Sequence, residues 1–110
     1  MSRNVHVRLQ RIGPNQFRSV ITLRMPDGKR QRQAHTANGP AKALAGAALL
    51  AHRVASNPLL ASVMPPGTGA AIKATAMLAK AAQSGKLGSV INHLKGDGAR
   101  RIASKLLSWM

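Results

Sequence analysis

The apolar spacing of this chain changes period at Asn38-Gly39-Pro40, and that change limits the possible folds more than any other feature. Before it the pattern alternates: Val5, Val7 and Leu9 fall on one side of an extended segment, and Asn4, His6, Arg8 and Gln10 on the other. Gly13-Pro14-Asn15 is a turn signal, after which Phe17, Ile21 and Leu23 share one parity and Arg18, Val20, Thr22 and Arg24 the other. Pro26-Asp27-Gly28 marks a second turn, because proline presets φ and glycine accepts positive φ. Lys29 to Thr36 then runs on as an extended polar segment. The spacing predicts a three-stranded antiparallel sheet over residues 1–39.

From Pro40 the period is helical. Leu44, Ala47, Ala48, Leu50, Ala51 and Val54 lie on one broad face, which predicts a helix over 40–56 that packs on the sheet. Asn57-Pro58 stops it, and Pro65-Pro66-Gly67-Thr68-Gly69 ends a Pro/Gly linker over 57–69. Residues 70–110 read as a helical extension. An Ala-rich helix from about Ala70 to Ser84, capped by Gly85, carries Lys73 and Lys80 on its wet side. Leu87, Val90, Ile91 and Leu94 mark a short third helix, and Asp97 is the expected N-cap of an amphipathic tail. In that tail Ile102, Ala103, Leu106, Leu107, Trp109 and Met110 occupy one arc, and Arg100, Arg101, Ser104, Lys105 and Ser108 the other. The expected fold class is α+β, an N-terminal three-stranded antiparallel sheet followed by Ala-rich helices. Alanine buries little area and isolated Ala helices depend on neighbours for stability, so the second half is expected to be ordered only in an assembly.

Charge narrows the partner. Lys and Arg number 17 against two Asp and no Glu, a net +15 on 110 residues, which repels itself unless a polyanion such as nucleic acid or an anionic membrane neutralises it. Cysteine is absent, so neither disulfides nor a thiolate metal site supplements the core. Met1-Ser2-Arg3-Asn4-Val5-His6 lacks the apolar core of a secretion signal, and the Ala-rich run near Ala41 to Ala51 is too short to span a bilayer, so neither export nor a membrane span is expected.

The basic hairpin is the first functional candidate. Arg18, Arg24, Arg30 and Arg32 project away from the apolar parity, interleaved with Thr22, Gln31 and Gln33. Arginine and glutamine read base edges, and a β-ribbon fits the major groove. Arg8, Lys29, Lys73, Lys80, Arg100, Arg101 and Lys105 are the expected phosphate contacts. Duplex DNA is favoured over single strands or RNA, because Phe17 and Trp109 are the only aromatic residues available for base stacking. The tail is the second candidate: Ile102, Leu106, Leu107, Trp109 and Met110 form an apolar arc that a protein groove, a second copy, a capsid or a membrane surface would cover.

The run from Phe17-Arg18 through Pro26-Asp27-Gly28-Lys29-Arg30-Gln31-Arg32 to Thr36 resembles, within residues 3–55, the three-stranded sheet plus helix of tyrosine-recombinase arm-binding domains and plant ethylene-response DNA-binding domains. The shared order is strand, glycine turn, strand, Asp-Gly-Lys-Arg turn, basic strand and a Thr-initiated helix. The resemblance implies a sheet lying in the major groove through Arg18, Arg24, Arg30 and Arg32. It departs in aromatic content, since only Phe17 remains on the first two strands, and in lacking any recombinase catalytic domain.

Catalysis has little to work with: Cys, Tyr and Glu are missing, and Asp27 and Asp97 serve a turn and a cap. Met64-Pro65-Pro66-Gly67-Thr68-Gly69-Ala70-Ala71 imitates an ATPase phosphate loop, but Ala70 and Ala71 stand where lysine and a Mg²⁺-binding hydroxyl are required. His6, His35, His52 and His93 have no ligand spacing. No enzyme activity, metal, cofactor or small-molecule substrate is expected. The leading expectation is a non-enzymatic DNA-binding protein that packages or organises a genome, in a virion interior or the cytoplasm/nucleoid. The alternatives are a minor structural protein of a membrane-containing particle contacting lipid or capsid, and a site-specific accessory factor of recombination or transcription.

Overall fold

A computed structural model describes residues 4–93 and 97–109. The period change marks the boundary between a sheet and a layer of helices. Strands β1 (Val5–Gly13), β2 (Gln16–Arg24) and β3 (Arg30–Ala37) form an antiparallel meander in the order β1-β2-β3. Helices α1 (Pro40–Ala55), α2 (Thr68–Gln83), α3 (Leu87–Val90, continuing as a 3₁₀ turn over Ile91–His93) and α4 (Asp97–Ser108) follow.

Register decides which side chains share a face. Val5, Val7 and Leu9 pair with Leu23, Ile21 and Ser19, and these in turn with Gln31, Gln33 and His35. One sheet face therefore carries Val5, Leu9, Phe17, Ile21 and Leu23 into the core, where all five are buried. The β2–β3 turn is set by Gly28 at φ +85, where the Met25 carbonyl accepts the Gly28 N–H and Asp27 Oδ1 accepts the Lys29 N–H. Between Arg11 and Gly13 the register shifts, which leaves Ile12 as an extra, half-exposed residue at the sheet edge.

α1 starts at Pro40, whose missing N–H costs nothing in the first turn, and lies across β2 and β3. Its buried residues are Ala41, Ala43, Leu44, Ala47, Ala48 and Ala51, so a near-continuous alanine surface seats the helix on the sheet. Leu50 and Val54, expected on that face, are only partly covered. α2 packs alongside α1 and brings Ile72 to Val5, Ile21 and Leu23. α4 closes the other end of the same core, where Ile102, Ala103 and Leu106 join Leu9, Phe17, Leu44, Leu78 and Leu87. The second half thus takes its order from the sheet and from α1.

Two expectations need correction. Thr68 and Gly69 belong to the first turn of α2 and not to the linker: Gly67 adopts φ +83, which releases the chain into the helix, and Thr68 Oγ1 donates to the Pro65 carbonyl at 2.8 Å. Thr36 does not initiate a helix. It pairs with Arg18 inside β3, and Gly39 takes the N-cap position of α1 with no side-chain cap. Leu94, Met110 and the capping side chain of Asp97 lie outside the described residues.

Candidate nucleic-acid interface

The sheet face turned away from the helices is a ladder of arginine. Its four cross-strand rows are Arg24 beside Arg30; His6, Thr22 and Arg32; Arg8, Val20 and Ala34; and Gln10, Arg18 and Thr36. Every row carries arginine, and Arg8, Arg18, Arg24, Arg30 and Arg32 are all exposed. At about 3.4 Å per residue the rows span roughly 20 Å along the strands. Val20, Ala34, Thr22 and Thr36 keep the surface between the arginines low, so a backbone can approach it closely.

Nothing in the sheet balances this charge. Asp27 is held in the β2–β3 turn by the Lys29 N–H, and Asp97 belongs to α4. Arg24 and Arg30 sit directly opposite each other, an arrangement of like charges that destabilises a sheet. At that end Asn4, His6, Thr22, Arg24 and Arg30 line a shallow depression of about 240 Å³. Asn4, His6 and Thr22 were not singled out as contacts from sequence. Their signal was present, since His6 shares the parity of Arg8 and Thr22 that of Arg24.

Gln31 and Gln33 do not join this surface. Their partners Leu23 and Ile21 point into the core, so both glutamines lie on the helix side of the sheet. The open face consequently presents mainly arginine and threonine, with Gln10 its one glutamine. Lys29 is exposed at the hairpin tip beside the ladder.

The basic residues of the helices divide from those of the sheet. Lys73 and Lys80 are exposed on the side of α2 opposite its buried residues Ala71, Ile72, Thr75, Leu78 and Ala79, and Arg100 and Arg101 are exposed on α4. All four lie on the helices and outside the four rows of the ladder. Lys105 is a structural tie: its Nζ donates to the Leu9 carbonyl at 3.2 Å and lies 5.9 Å from the Trp109 ring centroid, fastening α4 to β1.

The apolar arc of the tail is covered by the chain itself. Ile102 and Leu106 are buried, and Trp109 is half-buried with its ring 5.3 Å from that of Phe17. Arg11 lies over the Phe17 ring, 5.8 Å from its centroid, and donates to the Gly13 and Pro14 carbonyls. Leu107 is 40% exposed and does not dock with the rest of the arc.

Among the described residues there is no group of His, Asp or Glu that could hold a metal ion, and no helix long and apolar enough to cross a membrane. The Pro/Gly segment before α2 shows no phosphate-loop chemistry, with Thr68 committed to Pro65 and Ala71 packed in the core. Comparison with protein-family models, curated proteins and solved structures finds no match to this chain.

Proposed function

We propose that the chain is a non-enzymatic DNA-binding protein that packages or organises a genome, with the open sheet face as its main contact for duplex phosphates. The observation that carries this reading is the unbalanced arginine ladder, in which each cross-strand row repeats a cation. The self-repulsion of such a surface is relieved by a polyanion and by little else. A duplex is favoured over a single strand because Phe17 and Trp109, the chain's only Phe, Tyr or Trp residues, pack against each other with tilted rings at the core rim, and offer no open platform for bases. With Gln31 and Gln33 turned away and Gln10 the one glutamine in its rows, the ladder suits phosphate neutralisation better than base reading, so bulk genome binding is favoured over a site-specific accessory role. The apolar arc of the tail, already packed inside, favours nucleic acid over lipid as the ligand.

Fluorescence anisotropy with a labelled duplex tests it. If the five arginines each neutralise about one phosphate, log affinity falls against log salt with a slope of about −4.5, roughly a several-hundredfold loss between about 50 and 200 mM salt. Replacing Arg8, Arg18, Arg24, Arg30 and Arg32 by Gln should weaken duplex binding while the circular dichroism stays unchanged, because all five are exposed. A salt loss under about tenfold, or wild-type affinity in the folded variant, would sink this reading.

A further inference from the structure

The molecule is a two-layer slab with extents of 38 × 30 × 19 Å, so it has two broad faces, one the open sheet and the other the outer surface of the helices. The helical face is also basic. Lys42 and Arg53 lie on the exposed stripe of α1, about three turns and roughly 17 Å apart. Lys73 and Lys80 lie two turns apart on α2, about 10 Å along the axis. Arg100 and Arg101 border a shallow depression of about 610 Å³ on α4 that Ser104 and Ser108 also line, the Ser108 hydroxyl donating to the Lys105 carbonyl. These residues lie on helices that pack on the core side of the sheet and not in the rows of the ladder, so one straight duplex on the sheet does not neutralise them all. The chain has two carboxylate side chains, Asp27 in the β2–β3 turn and Asp97 at the start of α4, against six basic residues named here on the helices.

We propose that the chain holds two duplex segments at once, one on the arginine ladder and one across the exposed faces of α1, α2 and α4, and so bridges DNA as a monomer. This rests on the reading of the ladder as a duplex surface. The partner on the second face is argued from charge complementarity: paired cations two and three turns apart on α2 and α1, and neither an acidic side chain nor a Phe, Tyr or Trp for stacking an unpaired base in α1 or α2. Bridging explains why cationic charge is divided between the halves of the chain when concentration on one face would serve a single contact better.

Binding stoichiometry decides the question. A duplex of about 12 base pairs, at about 3.4 Å each, matches the 38 Å long axis. Sedimentation velocity in excess duplex at low salt should give one protein with two duplexes. Replacing Lys73, Lys80, Arg100 and Arg101 together by Gln should reduce this to one duplex, and so should replacing the five ladder arginines. A wild-type protein that saturates with a single duplex overturns bridging while leaving the proposed function intact, whereas a failure to bind any duplex removes both. A helical-face variant that still holds two duplexes, or complexes of two proteins with two duplexes, would also overturn it. So would a one-duplex complex that floats with anionic vesicles, which would give the helical face to lipid.

Discussion

Ser19 is fully buried on β2 between Phe17 and Ile21, opposite Leu9 and His35, and its hydroxyl has no hydrogen-bond partner. A desolvated unpaired hydroxyl costs about 1–3 kcal/mol. Ser19→Ala is therefore expected to stabilise the fold by about 1 kcal/mol, seen as a thermal midpoint raised by roughly 4–8 °C. A lowered midpoint would show that the hydroxyl is satisfied. Gly46 poses the opposite case, since a Cβ there would overlap the His35 ring, which marks the close approach of α1 to β3. Gly46→Ala alone is expected to destabilise. In a His35→Ala background the same change should stabilise by about 0.5–1 kcal/mol, the usual advantage of Ala over Gly within a helix. Paired denaturation curves read this change of sign directly. At this scale the parity of Arg18 and Arg24 was legible because large apolar residues alternate with them on β2. Gln31 and Gln33 were not, because β3 carries no large apolar side chain to orient it and takes its register from the turn and from β2.

Among the elements, α4 is the one whose role packing had to settle. Its amphipathic arc was evident, but an arc specifies only that something covers it. The cover is the rim of the sheet: Leu106 is fully buried in the cluster with Leu9 and Phe17, and Trp109 reaches the Phe17 ring. Leu106→Ala is expected to cost about 2–5 kcal/mol. Because Trp109 is the only tryptophan, its emission reports on this helix alone. It should be blue-shifted in the free protein, insensitive to anionic vesicles, and red-shifted in the variant. Red emission in the wild type that moves only when vesicles are added would return the tail to the membrane. Leu107 escapes burial because it lies about a quarter-turn from the centre of the arc formed by Ala99, Ile102, Ala103 and Leu106.

The whole molecule has a radius of gyration of 13.4 Å, close to the roughly 13 Å expected of a compact chain of this length. It reaches that compactness while carrying +15, so its charge works against folding. Salt should consequently act in opposite directions on its two properties. Raising ionic strength from about 20 to 200 mM shortens the screening length severalfold and should raise the thermal midpoint of the free protein by several degrees, while duplex affinity falls. Differential scanning calorimetry checks the first half. A midpoint that stays flat or drops with salt would mean that the cations are already neutralised within the fold.

Local periodicity was enough to determine the α+β class, the three strands, the helix from Pro40, the arginine parity on β2 and the excess of cation, because backbone alternation, turn chemistry and net charge depend on near neighbours. Tertiary structure alone decided that the alanine face of α1 seats on β2 and β3, that β3 turns its glutamines toward the helices, that Lys105 binds the Leu9 carbonyl, and that the basic residues divide between two opposed faces. Each of these depends on groups distant in sequence being brought together. Their positions follow from which surfaces pack and in what register, and an alternating pattern cannot encode that where the side chains are small or polar.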